Sequence, residues 1–301
     1  MRRTIHVLIA AALTVGVGAF GARQIASGQS EFRLEFDAGA AQHLPKEDIG
    51  QWLRQSYSAV RHYYGRFPLS ELVILIHDED GDDVGFGSTT WEHGHGLIEI
   101  NIGDEISKPT LMHAWTATHE MTHLAMPILP HSERWVAEGM ATYIEPLARL
   151  QVGQLKTEDV WGDMVRNAQR GIGGHRNGFR GTHSISEMYW GGAIWCLLAD
   201  IQIREKTNNR FGFQDAMRAI VKAHATADSD YSAEQALRFG DEAVGVAVLV
   251  PMYKQFSDGP IDVNLLDLWH RLGVVPSGST VRFDDSAPLA SIRRSIETGP
   301  K

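Results

Sequence analysis

Two histidines and a glutamate near the middle of the chain can bind a metal ion and activate water. His119, Glu120 and His123 lie in a segment that predicts a helix, and their spacing places both imidazoles on one face of it. Zinc accepts neutral imidazole nitrogen, and a catalytic site combines three protein ligands with a position for water. Glu120 points to a different side of the helix, so we expect it to be the general base. The predicted cofactor is one Zn²⁺ ion.

A third protein ligand is required, and the best candidate is a glutamate in the next predicted helix. Glu138 is followed by Gly139, and Ala141 lies close behind, so this helix carries little side-chain bulk and is expected to approach the first helix closely. His131 and Glu133 are competitors by distance along the chain, but neither lies in a segment built for close helix packing. The sequence therefore favours Glu138.

A small sheet is predicted ahead of these helices. The segment EFRLEF alternates like a strand, and two short apolar runs, Leu72 to His77 and Gly96 to Gly103, also predict strands. Between the first two strands, Lys46 to Tyr64 predicts an amphipathic helix.

The rest of the chain is predicted to be largely helical. Ser107 is a possible N-cap and Pro109 suits a first turn, so the helix that carries His119 is expected to run to about Met126. The glycine-rich segment 171–183 is expected to be either a loop near the site or a surface loop without a role there. Further helices are predicted over 132–150, 157–170, 186–206, 213–225, 233–239, 243–256 and 263–272.

The first 28 residues predict an export signal. Arg2 and Arg3 precede an apolar stretch from about Val7 to Phe20, which small and polar residues follow, and this order is typical of a signal peptide. The apolar stretch is shorter than the ~20 residues of a membrane span. We therefore expect a periplasmic or extracellular protein, with anchoring by an uncleaved signal as the alternative and no other membrane contact.

Composition and charge exclude several classes of partner. Hydrophobic residues make up 43% and charged residues 22% of the 301 residues, which is ordinary for a globular protein. The formal net charge of −9 argues against nucleic acid as a partner. The single cysteine, Cys196, cannot form an intramolecular disulfide, and its apolar neighbours favour core packing. The sequence does not indicate the oligomeric state.

The residues around the predicted ligands resemble the gluzincin clan of metallopeptidases. The motif from His119 to His123 and the segment WVAEG at 135–139 are most similar to the glycyl aminopeptidase family, which is related to aminopeptidase N, and the likeness covers about residues 98–273. The resemblance implies an α+β, zincin-like (thermolysin-type) fold of two lobes. We expect a small mixed sheet lobe, a largely helical C-terminal lobe, and substrate in the cleft between them.

Two further segments take part in this resemblance. The sequence YWGG at 189–192 looks like the family's Tyr-x-Lys-Gly helix, with Gly191 in place of the lysine. Tyr189 is then the expected catalytic tyrosine, whose phenol donates a hydrogen bond to the developing oxyanion; His183 is the alternative donor. The sequence GLIEIN at 96–101 is reminiscent of the strand that holds a substrate's free amine. Glu99 either has that role or is the outward residue of an edge strand.

These residues predict a zinc-dependent peptidase that hydrolyses a peptide or protein substrate, with an aminopeptidase preferred. The predicted catalytic domain covers 29–285, between the signal at 1–28 and a C-terminal tail at 286–301. One alternative is a zinc amidohydrolase that acts on a non-peptide amide of the cell envelope. The other is a catalytically inactive zinc-binding interaction module, against which the presence of Glu120 and Tyr189 argues.

Overall fold

A computed structural model describes residues 31–37, 39–40, 44–172 and 177–300. The predicted export signal at 1–28 lies outside these residues, and so does part of the glycine-rich segment. The described chain is a mixed α+β fold with a four-stranded sheet, a small hairpin and many helices. None of the described helices combines the length and the apolar character needed to cross a membrane.

The sheet contains β1 (Arg33–Phe36), β2 (Leu72–Glu79), β3 (Val84–Glu92) and β4 (His95–Gly103), in the order β1-β2-β4-β3. The β1–β2 and β2–β4 pairs are parallel, whereas β3 runs antiparallel to β4. The first five residues of β2 are all buried, as expected for a central parallel strand that is covered on both faces. Because β3 is the last strand in the order, it forms the edge of the sheet that faces the candidate site.

Strand β3 is absent from the sequence-based prediction. Its sequence, VGFGSTTWE, lacks an apolar alternation, and most of its residues are only partly buried. Glycine and mixed polar residues are poor strand formers by themselves. Pairing with β4 holds this segment in extended form, so only the tertiary structure identifies it as the edge strand.

The helix α1 (Lys46–Tyr64) forms where the sequence predicts it and ends at Gly65, whose φ of 76° is left-handed. The predicted ligand helix is instead two helices, α2 (Lys108–His113) and α3 (Thr116–His123). Ala114 is extended, with a ψ of 135°, which breaks the helix and gives α3 its own direction. The ligand helix is thus only eight residues long.

The remaining helices pack around α4 (Arg134–Gln151) and α6 (Gly192–Lys206). Most of α6 is buried, including Cys196 at 0% exposure, as expected of a packing residue. A 3-10 turn, His131–Glu133, precedes α4, and a π-helix, Glu187–Gly191, precedes α6. The others are α5 (Thr157–Ile172), α7 (Phe213–Lys222), α8 (Ala233–Val244), α9 (Leu249–Asp258) and α10 (Leu265–Leu272).

The end of the chain contains more structure than the predicted tail at 286–301 suggests. A hairpin of β5 (Val274–Ser277) and β6 (Thr280–Phe283) is followed by α11 (Ala290–Thr298). In α11 the side chains of Ile292 and Ile296 are buried, so this helix packs on the helical part of the molecule. The boundaries of the export signal, the catalytic domain and the tail stay predictions.

Candidate metal centre

Donor atoms from α3 and α4 converge on one point. The Nε2 atom of His119 lies 3.2 Å from Oε2 of Glu138, and the Nε2 atom of His123 lies 3.5 Å from the same oxygen. A tetrahedral zinc ion with bonds of about 2.0–2.1 Å separates its ligands by about 3.3–3.4 Å. In these three side chains, which we call the ligand cluster, the two distances from Glu138 to the imidazoles therefore match those between ligands of a zinc ion.

Burial and mutual charge favour an ionised carboxylate in the ligand cluster. Burial raises the pKa of Glu138, but His123 and His119 outweigh this effect and hold the pKa well below its ordinary value. Burial opposes a charge on His123, and the adjacent Glu138 more than offsets it, so the pKa of His123 is raised. The cluster thus favours a cation next to Glu138, whether a proton or a metal ion supplies it.

The second oxygen of Glu138 faces a cation of the protein. Nη2 of Arg134, one turn earlier in α4, lies 3.4 Å from Oε1. The Arg134 side chain is 47% exposed, while that of Glu138 is 9% exposed. One carboxylate oxygen is thereby directed to the imidazoles and the other to the guanidinium.

Glu120 lies beside the imidazoles and is held by the edge strand. The hydroxyl of Thr89 in β3 lies 2.7 Å from Oε2 of Glu120 and 2.9 Å from its carbonyl oxygen, and it can donate to either. A Cβ at Gly87 would lie 2.8 Å from Cγ of Glu120, so β3 approaches α3 this closely only because residue 87 is glycine. The edge strand therefore fixes the carboxylate of Glu120.

Donor spacing alone groups Glu120, rather than Glu138, with the two histidines. One donor atom from each of His119, Glu120 and His123 lies within 4.8 Å of the others, the only such group of three among the described residues. We favour Glu138 as the ligand, because one of its oxygens is at tetrahedral-edge distance from both imidazoles. Glu120 remains adjacent to both imidazoles.

Tyr189 lies against the first histidine. Its ring stacks on that of His119, with centroids 5.4 Å apart and planes 8° apart. Burial, followed by the charges of Glu138 and Glu120, raises the pKa of the Tyr189 phenol. The hydroxyl therefore keeps its proton and can donate it in a hydrogen bond. Tyr189 lies in the π-helix, a distortion that is frequent at functional sites.

Glycine contacts between helices bring Tyr189 to the ligand cluster, and they correct one step of the sequence analysis. Gly139 was expected to let α4 approach the ligand helix, but a Cβ there would lie 2.3 Å from Cα of Gly192 in α6. A Cβ at Gly191 would likewise lie 2.5 Å from the ring of Phe179. Gly191, which stands where the sequence resemblance implied a lysine, is thus required by packing.

Glu99 was expected either to hold a substrate's free amine or to be the outward residue of an edge strand, and the structure places it on the face of the sheet away from α3. Glu99 pairs with Ser88, and the neighbouring Ile98 pairs with Thr89. Directly paired residues point to the same face of a sheet. Because Thr89 contacts α3, Glu99 lies on the opposite face, where its Oε1 is 3.3 Å from Nε2 of His77. Its strand, β4, is also an inner strand.

The competing candidates from the sequence lie outside the ligand cluster. His131 and His183 meet each other, with Nε2 of the first 3.2 Å from Nδ1 of the second. Glu133 accepts a hydrogen bond of 2.8 Å from the hydroxyl of Tyr253. Neither residue of the 3-10 turn is a ligand in this arrangement.

Several residues of the site were not singled out from the sequence. Thr89, Gly87, Trp115 and Arg134 all contact the ligands or Glu120. The ring of Trp115, 39% exposed, meets that of His119 edge to face at 5.0 Å. The spacing of Trp115 and Arg134, each four residues before a ligand, is the one sequence signal that could have indicated them.

Comparison with solved structures finds the same fold in zinc peptidases. An aminopeptidase N family protein from Idiomarina loihiensis matches with a TM-score of 0.55 and 15% identity, over 85% of this chain and 50% of that chain. An M1 zinc metallopeptidase from Deinococcus radiodurans gives 0.51 and 15% over 81% and 53%. A variant of the latter bound to a Tyr-Ser-Ala substrate gives 0.50 and 14% over the same shares, 81% and 53%.

The chain spans about half the length of these structures, and identities this low make the likeness one of fold alone. A scan against family models gives no match, and a search of curated proteins gives none that is significant.

Proposed function

We propose that the protein is a zinc-dependent peptidase that binds one zinc ion through His119, His123 and Glu138. The observation that carries this proposal is the convergence of two imidazole nitrogens on a single carboxylate oxygen, at 3.2 and 3.5 Å. A fold similar to that of M1 zinc metallopeptidases supports it. When bound, zinc lowers the pKa of a water molecule and polarises a substrate carbonyl.

Glu120 is the general base of the proposed reaction. Its carboxylate accepts the proton of the attacking water and then delivers it to the leaving amine. Thr89 positions the carboxylate through its hydrogen bond to Oε2. Tyr189, neutral because burial and nearby carboxylates raise its pKa, donates a hydrogen bond to the oxyanion that develops in the transition state.

The substrate is a peptide or protein chain that lies along the edge strand β3. That strand has an open edge in the sheet order, and an extended peptide can add to such an edge through main-chain hydrogen bonds. The solved relative bound to Tyr-Ser-Ala is consistent with a peptide in this fold. An aminopeptidase is the preferred activity because the fold is similar to that of an aminopeptidase N family protein, and export to the periplasm or the extracellular space is the proposed location.

The proposal is tested by zinc analysis and by cleavage of an unbiased peptide library. Wild type is expected to hold one equivalent of zinc and to cleave peptides, with a preference for free N-termini. Glu120→Gln should keep the zinc and lose turnover by about 10²- to 10⁴-fold, because it removes only the acid–base group.

Three results would contradict parts of this assignment. Full cleavage by Glu120→Gln would show that Glu120 is not the general base. Turnover of cell-envelope amides without peptide cleavage identifies an amidohydrolase. Zinc binding without any turnover identifies an inactive interaction module.

A further inference from the structure

Two exposed histidines outside the ligand cluster lie close enough to share a metal ion. His131 belongs to the 3-10 turn before α4, and His183 lies in the loop before the π-helix. Nε2 of His131 lies 3.2 Å from Nδ1 of His183, and the two rings are inclined by 35° with centroids 5.0 Å apart. This nitrogen separation is close to the tetrahedral edge of about 3.3–3.4 Å expected around zinc.

The backbone holds both histidines in place. The amide of Gly181 donates to the carbonyl of Ser132 at 2.9 Å, and this bond joins the loop directly to the turn. The amide of Arg180 donates to the carbonyl of Ser257 at 3.0 Å. The first bond lies next to both histidines, so the fold holds their backbones close together.

A charged side chain strengthens the same junction. The guanidinium of Arg180 binds both oxygens of Asp258, at 2.6 and 3.0 Å, and lies 3.3 Å from Oε1 of Glu133. A bidentate arginine–carboxylate pair is among the more directional polar contacts in proteins.

The remaining ring nitrogens permit metal binding without a net loss of protons. Among the described residues, neither imidazole has a second hydrogen-bond partner, so Nδ1 of His131 and Nε2 of His183 are free to bond to water. In the metal-free pair one facing nitrogen donates a proton to the other. When a metal binds, that proton moves to the outer nitrogen of the same ring, and both facing nitrogens offer lone pairs.

We propose that His131 and His183 form a second divalent-metal site for zinc or a similar imidazole-binding ion, with water as the remaining ligands. Two protein ligands give a weaker site than the three of the ligand cluster. Its expected effect is to fasten residues 177–183 to the turn before α4. The inference does not depend on the proposed peptidase activity, since neither histidine belongs to the ligand cluster.

The test is equilibrium dialysis of the whole protein against increasing Zn²⁺ at pH 7.5, with metal content measured per chain. Wild type is expected to take up one more equivalent than His131→Gln or His183→Gln. The double variant should lose no more than either single variant, because both side chains hold the same ion. Added Zn²⁺ should also raise the melting temperature of wild type more than that of the variants.

A matched control uses another histidine pair. The rings of His93, in the β3–β4 turn, and His95, the first residue of β4, lie 6.5 Å apart, and His95→Gln should leave the additional equivalent in place. The difference in zinc content between wild type and the His131 and His183 variants does not depend on zinc in the ligand cluster. Failure of the peptidase proposal would therefore leave this difference unchanged. Equal zinc uptake by wild type and His183→Gln, with both folded by circular dichroism, would overturn the second site, and so would loss of the ion in His95→Gln.

Discussion

Two clusters of histidine and carboxylate in this protein have the same residue types in opposite proportions. The ligand cluster places one carboxylate between two imidazoles, His119 and His123. A second group, which we call the sheet cluster, places one imidazole, His77, between the carboxylates of Asp37 and Glu99, at 2.5 and 3.3 Å. The ligand cluster presents three donor atoms with lone pairs to one point. The sheet cluster instead presents two carboxylates that accept hydrogen bonds from a single imidazole, His77.

The difference decides what each cluster can hold. Hydrogen bonding to Glu99, together with Asp37, raises the pKa of His77 to about 9, although burial opposes the charge. The sheet cluster therefore binds a proton at neutral pH, on the face of the sheet away from α3. Buried, convergent donors favour a metal ion, and a partly exposed imidazole between acids favours its own protonation.

The comparison predicts its largest effect for matched glutamate substitutions. Glu138→Gln should weaken zinc binding by more than about 100-fold, because even indirect partners of metal ligands are worth about 10- to 100-fold. Glu99→Gln should leave both zinc content and turnover unchanged. Metal analysis after dialysis, together with a peptide-cleavage assay, checks both. Loss of zinc in Glu99→Gln would show that the two clusters are not independent.

The next effect concerns the close contact between α4 and α6, which positions the ligand cluster and not the sheet cluster. Gly139→Ala should lower the free energy of unfolding by about 1–3 kcal/mol, because the new Cβ meets backbone atoms of Gly192 at 2.3 and 2.4 Å. Zinc affinity should fall as α4 moves. Chemical denaturation measures the loss of stability.

A glycine in α1 supplies the control for this substitution. A Cβ at Gly50 would meet only the flexible end of Arg54, at 3.3 Å. Gly50→Ala should therefore be neutral, or stabilising by up to about 1 kcal/mol. An unchanged stability of Gly139→Ala would refute the contact between α4 and α6.

A smaller effect is expected from the edge strand, which positions Glu120 beside the ligand cluster. Thr89→Val removes the hydroxyl next to Glu120, and a hydrogen bond to a charged group is worth about 1.5–3 kcal/mol. Turnover should fall by about 10- to 100-fold while zinc is retained. Thr90→Val is the control, since the buried hydroxyl of Thr90 has no hydrogen-bond partner in the described structure. Equal activities of the two variants would contradict the role of Thr89.

The smallest effect is the pH dependence of the sheet cluster. The pKa of His77 is about 9 in the folded protein, above the ordinary value of about 6.5. The contribution of His77 to the free energy of unfolding is therefore complete below pH ~6.5 and is lost as the pH rises through about 9. Solvent screening limits the contribution to about 1 kcal/mol. Unfolding at pH 6 and pH 10 should show this extra loss in wild type and not in His77→Gln; equal losses would exclude the ion pair.

Local sequence was sufficient where chemistry depends on neighbours along one element. The four-residue spacing of His119 and His123 fixes their common face, and the amphipathic pattern of 46–64 predicts α1 with its observed bounds. In both cases the relevant distances follow from the helix repeat alone. Glu138 was also chosen from sequence, although its neighbour Gly139 contacts α6 rather than the ligand helix.

Contacts between distant segments were decided only by the tertiary structure. The edge strand β3 has no apolar period, Thr89 reaches Glu120 across 31 residues, and His131 meets His183 across 52. The face on which Glu99 lies depends on the register of β3 against β4, which a shift of one residue would reverse. Thus the sequence by itself determined the donors and their spacing along a helix. The packing of strand and helices determined which of those donors meet, because their separation in space is set by close contacts that no local pattern encodes.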